Sequence, residues 1–224
     1  MTKPTMSIKN IIGSLDFFSN LDEKLIYELS SISSIYNYTK DYILHFEKQQ
    51  STDLLFLING QAKAYKIDKH DNEIFLYYIY ENSLISEISN LVGSIIISLS
   101  NVSLIEDSQI LSIDYKKFKE MFLDTHILHD EFTKEIISRS NQLHSLINRE
   151  FIFDSVSKVA MMLDNDLNMF NKLKRSEASL ILNIQPETLS RVLNRLKRNK
   201  IIESEYGKIK ILDKPALKAI FEEQ

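Results

Sequence analysis

Glu187, Ser190, Arg191 and Asn194 are the residues of this 224-residue chain whose types and spacing speak most directly of chemistry. They stand at i, i+3, i+4 and i+7, so on a helix they share one face. Arg can grip a guanine with two hydrogen bonds, Glu can accept from a cytosine amine, and Ser and Asn adapt to either partner. Such a face suits a helix laid in a DNA major groove. Leu189, Val192, Leu193 and Leu196 recur at helical spacing on another face and predict burial. Pro186 suits a first helical residue, whose N–H has no intrahelical partner. A plain amphipathic surface helix would show the same periodicity, so the choice rests on what surrounds it.

The neighbouring segments supply a scaffold for that helix. Arg175–Asn183 reads as a preceding short helix, with Ser176 as its N-cap. Ala178, Leu182 and Ile184 are its candidate buried positions, and Ser179 is small enough for a close helix crossing. Asn183 sits at the turn, where Asn adopts a left-handed backbone with less strain than most residues. Ile201–Glu205 and Lys208–Leu212, parted at Tyr206-Gly207, predict a short hairpin. Together these make a winged helix-turn-helix. Residues 172–210 hold ten basic and four acidic side chains, a surplus of +6 in a chain of net charge −4. A basic surplus is what phosphate neutralisation requires. Arg175, Ser176, Thr188, Arg195, Lys197 and Lys208 are the candidate phosphate contacts.

Composition narrows the rest. The chain is long enough for two small domains. It has no cysteine, which excludes disulfides, Cys-ligated zinc, an iron–sulfur cluster and thiolate-ligated haem. Its longest apolar runs, such as Ile95–Ile97, are too short to span a bilayer, and Met1–Met6 has no signal-like apolar stretch. The expectation is a cytoplasmic protein without a membrane partner. Metal-ligand spacing, a P-loop, a Gly-rich dinucleotide loop and a nucleophile elbow are all missing from the sequence, so an enzyme is not expected.

Upstream, residues near 8–35 read as short helices, with Asn20 or Asp22 as a cap. From about Tyr36 to Tyr115 the texture is of short strands: Tyr42–Phe46, Asp53–Ile58, Gln61–Ile67, Glu73–Tyr80, Ile95–Leu104 and Gln109–Ile113. Asn59-Gly60 predicts a hairpin between two of them, and Asp71-Asn72 marks another turn. Strands at this spacing predict a β-sandwich or barrel. From Tyr115 to about Glu150 the period is helical again. Leu128, Phe132, Ile136, Leu143 and Ile147 form a stripe expected to pair with a second copy, with Arg139 interrupting it. Packing of that stripe against its own domain is the alternative. Phe151–Asp154 reads as a junction, and Ser155–Leu167 as the first helix of a second domain.

This order of small helices, β-roll, long helix and winged helix-turn-helix resembles the Crp/Fnr family of bacterial transcription regulators. Three segments carry the likeness: Asp53–Ala62 in the roll, Leu111–Phe118 at its exit, and Pro186–Arg191. The resemblance implies an α+β chain: an N-terminal β-roll, a cyclic-nucleotide-binding-like jelly roll, with its helices over 1–125, a long dimerisation helix over 126–152 and a winged helix-turn-helix over 153–224. It also implies a homodimer, a palindromic DNA partner and contact with RNA polymerase. Glu187–Arg191 is similar to Fnr-type reading helices, which select TTGAT-type half-sites. On that likeness Arg191 contacts guanine, Glu187 the opposite strand and Ser190 a thymine.

The family's sensor pocket maps to Ser86, Glu87, Ile97, Ser98 and Leu143. Glu87 matches the cyclic-nucleotide branch, but Ser86 replaces its Gly, and no basic residue lies between Asn82 and Asp114. A buried cyclic phosphate would lack a charge partner, which is costly, so cyclic AMP is not the expected effector. The Ile184–Arg191 string is most similar to Dnr-type, nitric-oxide-responsive regulators, which implies haem and nitrosative stress. Candidate axial ligands are His45, His126, His129 and His144, with His70 beside a turn less suited. The competing expectation is an effector-independent regulator whose pocket is filled by its own side chains.

Overall fold

The computed structural model describes residues 7–87 and 93–222. The reading of Met1–Met6 lies outside them. The chain divides into two compact units, residues 1–140 and 141–224.

The first unit opens with helices α1 (Ile8–Ser14) and α2 (Glu23–Ser31). Ser7 caps α1 by accepting the N–H of Asn10 at 3.3 Å, and the Asp22 carboxylate caps α2 by accepting that of Leu25 at 2.8 Å. Asn20, the other candidate cap, instead donates to Glu131 at 2.5 Å. Ten strands follow: β1 (Ser33–Tyr38), β2 (Ile43–His45), β3 (Gln50–Ser51), β4 (Asp53–Asn59), β5 (Ala62–Ile67), β6 (Glu73–Ile79), β7 (Ser83–Leu84), β8 (Ile96–Ile97), β9 (Asn101–Leu104) and β10 (Ser108–Asp114). They form antiparallel sheets ordered β1-β10-β4-β7 and β2-β9-β5-β6, with β3-β8 as a separate ribbon. The strands begin at Ser33, inside the stretch expected to be helical. Ile35 alternates with exposed Ser34 and Tyr36 there, and the whole of β1 pairs with β10.

Two sequence expectations in the roll are corrected. Asn59-Gly60 does not close a hairpin: β4 pairs with β10 and β7, whereas β5 pairs with β6 and β9. The chain crosses from one sheet to the other at Gly60, whose φ of 97° and close approach to Asp107 and Ser108 leave no room for a Cβ. The run Ile95–Leu104 is two strands, not one. β8 joins the β3 ribbon and β9 the second sheet, with Ser98–Ser100 as the break. The Asp71-Asn72 turn does close a hairpin, β5–β6, with Asp71 left-handed and Asp68 accepting the N–H groups of His70 and Asn72.

Helix α3 (Tyr115–Phe118) leads into a π-type turn, and His126 then interrupts the helical run with φ 62°. Helix α4 (His129–Ile147) follows. The core of this unit joins the N-terminal helices to the roll through Phe18, Phe56, Phe118 and Phe122. Leu128 and Phe132 belong to it as well. They were expected on a pairing stripe, but they are buried against their own unit. The stripe's remaining members, Ile136, Leu143 and Ile147, are about half exposed, as is Ile137.

The second unit contains α5 (Ser155–Lys172), α6 (Arg175–Ile181), α7 (Pro186–Arg198), the hairpin β11 (Ile202–Glu205) and β12 (Lys208–Ile211), and α8 (Lys214–Glu222). The Asp154 carboxylate caps α5 by accepting the N–H groups of Val156 and Ser157 at 2.9 and 2.8 Å. These bonds hold its pKa below the ordinary carboxylate value. Helix α5 runs past the expected Leu167, across a non-helical residue at Asp166. Its core gathers Val159, Leu163 and Phe170 with Leu189, Val192, Leu193 and Leu196 of α7 and Ile202 and Ile209 of the hairpin.

Candidate nucleic-acid interface

The rotation of α7 follows from burial. Leu189, Val192, Leu193 and Leu196 are at most 5% exposed. Each contributes roughly 1.5–3 kcal/mol when removed from water, far more than any surface contact on the opposite side. With that face inward, Glu187, Ser190, Arg191 and Asn194 are exposed together. Ser190 donates to the Pro186 carbonyl at 3.0 Å, and Arg191 donates to the Thr188 hydroxyl at 3.1 Å. The Arg191–Thr188 bond holds the guanidinium along the first turns of the helix.

Helix α6 meets α7 through a tight turn. Ala178 and Ser179 are buried, and Asn183 is left-handed at φ 50°. The Asn183 N–H donates to the Leu180 carbonyl and that of Ile184 to Ser179, both at 3.0 Å, which closes α6. The cap of α6 differs from expectation: it is Lys174, whose N–H donates to Glu177 at 2.7 Å, and Ser176 is the second residue of the helix, exposed.

Tyr206 and Gly207, both at positive φ, close the hairpin β11–β12. Its position is set by Asn171, which donates to the Ile209 carbonyl at 2.9 Å and accepts its N–H at 2.7 Å. Arg175 lies over the Phe170 ring at 4.9 Å and donates to the Gly207 carbonyl at 3.4 Å, so it positions the wing as well as adding charge. Thr188 and Lys197 are half-buried, while Arg195 and Lys208 are exposed. Sequence reasoning overlooked Asn171 and Tyr206. Tyr206 is 98% exposed at the wing tip, and only its place beside Gly207 hinted at that.

In the first unit the candidate pocket residues Ser86 and Glu87 are engaged by neighbouring residues of the roll. Ser86 is buried and its hydroxyl accepts the Leu55 N–H at 2.9 Å. Glu87 accepts from the Tyr77 hydroxyl at 2.7 Å, the Leu99 N–H at 2.9 Å and the Ser100 hydroxyl at 3.1 Å. Ser98 is buried, and Ile97 is half-buried in β8. Leu143 stands on α4 in the second unit, 55% exposed.

The candidate haem ligands do not gather as one set. His45 is 6% exposed within β2, and burial lowers its pKa. His126 and His129, with rings 5.4 Å apart, flank an open hollow that also holds Lys119 and Asp124. His144 is exposed on α4 and His70 sits in the β5–β6 turn. Among these five histidines only His126 and His129 come together, and the hollow they flank is open and shared with charged Lys119 and Asp124. No group of three or more possible ligands for a metal ion occurs among the described residues. No described helix is long and apolar enough to cross a membrane.

Residues 160–220 match the Crp-like helix-turn-helix domain. No curated protein sequence matches the chain. Among solved structures, a double mutant of CooA from Carboxydothermus hydrogenoformans superimposes with a TM-score of 0.71 at 16% identity, covering 99% of this chain and 98% of that one. A candidate transcriptional regulator of the Crp/Fnr family from Eubacterium rectale gives 0.65 at 18%, covering 92% and 97%. FixK2 from Bradyrhizobium japonicum gives 0.63 at 15%, covering 84% and 97%. The chain therefore has the fold of the Crp/Fnr regulators and carries a Crp-like helix-turn-helix domain at residues 160–220.

Proposed function

We propose that this protein is a homodimeric, DNA-binding transcription regulator that reads a TTGAT-type palindrome. The single observation that carries the reading is the outward face of α7, where Glu187, Ser190, Arg191 and Asn194 stand exposed in a segment with a basic surplus. Arg175, Ser176, Thr188, Arg195, Lys197 and Lys208 surround it as phosphate contacts. The three functional parts are residues 1–125, 126–152 and 153–224. Pairing uses the exposed side of α4, where Ile136, Leu143 and Ile147 recur at coiled-coil spacing. Such a dimer sets two reading helices about 34 Å apart, one turn of DNA. RNA polymerase is the natural partner of a regulator of this kind, and the cytoplasm its place of work. The Dnr-type branch rests on the Ile184–Arg191 string alone, and the histidines lend it no support.

Two readings of control compete. In one, an effector in the roll orders the long helices. In the other, the protein binds DNA without an effector. The second is favoured by a specific observation: both carboxylate oxygens of Glu87 are already engaged by the chain itself.

The test is hydroxyl-radical footprinting on a TTGAT–ATCAA duplex, together with sedimentation of the free protein. Two protected patches one helical turn apart, from a protein that sediments as a dimer, are expected. A single patch from a monomer contradicts the proposal.

A further inference from the structure

Arg139 projects from α4 toward the roll in the first unit. Its Nε donates to Glu135 at 2.8 Å, its Nη2 donates to the backbone carbonyl of Leu84 in β7, and its guanidinium lies 5.3 Å from the centre of the Tyr77 ring in β6. The same Tyr77 donates its hydroxyl to Glu87, whose second oxygen is taken by Leu99 and Ser100. One guanidinium, two carboxylates and a phenol thus close on one another between β6, β7, α4 and the segment between β8 and β9. Burial raises the Tyr77 pKa, with Arg139 pulling it down and Glu87 pushing it up, so the phenol keeps the proton it donates. The sequence offered no cation for this pocket between Asn82 and Asp114; the structure supplies one from α4.

We infer that Arg139 straps the first half of α4 to the roll across the Tyr77–Glu87 pair, so that the chain itself makes the contact a diffusible effector would make. An arriving anion such as a cyclic phosphate meets two carboxylates around a guanidinium already donating to Glu135 and Leu84. Displacing those bonds would leave the carbonyl of buried Leu84 without this partner. The strap also sets the rotation of α4. Within the first unit Phe132 and Arg139, seven residues apart, face the roll, while Ile136 between them is exposed. Holding one face fixes the other. This rests on the effector-independent reading above, but its primary test involves no DNA.

The experiment is amide hydrogen exchange on the full chain, as wild type, R139A, R139K and Y77F, each with and without millimolar cyclic AMP as the anionic probe. R139A is expected to speed exchange over residues 129–139 at least tenfold while β4 and β10 stay as in wild type. R139K keeps the charge but loses the planar fork and is expected to fall between them. Y77F keeps the ring under the guanidinium and is expected to loosen the Ser98–Ser100 segment more than α4. If R139A destabilises the roll as a whole, R139Q, which keeps the aliphatic stem, carries the same comparison. Wild-type exchange in both R139A and R139Q overturns the strap, and so does added protection of α4 by cyclic AMP in the wild type. Duplex binding of the same samples separates the two claims. Faster α4 exchange in R139A, with a wild type that ignores DNA, sinks the DNA-reading proposal and leaves the strap standing.

Discussion

In the proposed function, Arg191 is the residue on which base reading would depend most. It is exposed on α7 and steadied by the Thr188 hydroxyl. Arg191→Ala is expected to cost about 1–3 kcal/mol on the specific duplex and to relax preference at one base pair. An equal loss on specific and random DNA, measured by competition binding, would contradict the role. Lys197→Ala should behave differently, weakening both duplexes alike and lowering the slope of log K against log salt by about one. A change in base preference would mean the faces of α7 are misassigned. His45 makes a prediction about pH. Burial holds its folded pKa below the ordinary value of 6.5, so the unfolded chain takes up the proton first. The stability this gives is complete above pH 6.5 and is lost as pH falls through the folded value. Asp154 and Asp114, whose pKa values are lowered mainly by N–H groups of their own caps, contribute in a separate window below 3.8. Urea melts of wild type and His45→Gln should therefore diverge in their pH dependence just below 6.5; parallel curves would rule the assignment out.

At the scale of elements, two positions carry sharp stability predictions. Asp154→Ala removes two N-cap hydrogen bonds from α5 and is expected to cost about 1 kcal/mol, read from denaturant melts. Gly60→Ala should be worse, by at least about 2 kcal/mol, because it adds a Cβ within 2.2 Å of Ser108 at a left-handed backbone. The helix-turn-helix was legible because its signals are local. Pro186, Asn183 and the Leu189–Leu196 face each state their own geometry. The cap of α6 misled because Ser176 is the better capping type, yet Glu177 reaches back to the Lys174 N–H. In the roll, Asn59-Gly60 gave the right kink and the wrong pairing. A turn dipeptide reports φ but not which sheet the next strand joins, and that depends on β10, fifty residues on.

At the scale of the molecule, charge and burial divide the work. Residues 172–210 carry +6 and the rest of the chain −10, which concentrates attraction for phosphate on the second unit. Leu128, and Phe132 and Arg139 of helix α4, are turned to the first unit, while Ile136, Leu143 and Ile147 are about half exposed. The sequence merged the two into one stripe, since a spacing of four residues connects Leu128 to Phe132 and Phe132 to Ile136 without saying where the roll ends. The Arg139 contact with the roll was illegible for a similar reason, as Leu84 and Tyr77 lie more than fifty residues away. Fluorescence anisotropy on a TTGAT–ATCAA duplex and a scrambled one, at matched moderate salt and with no effector added, tests the central claim most directly. Specific binding at least a hundredfold tighter than scrambled is predicted; equal, weak binding to both would contradict it.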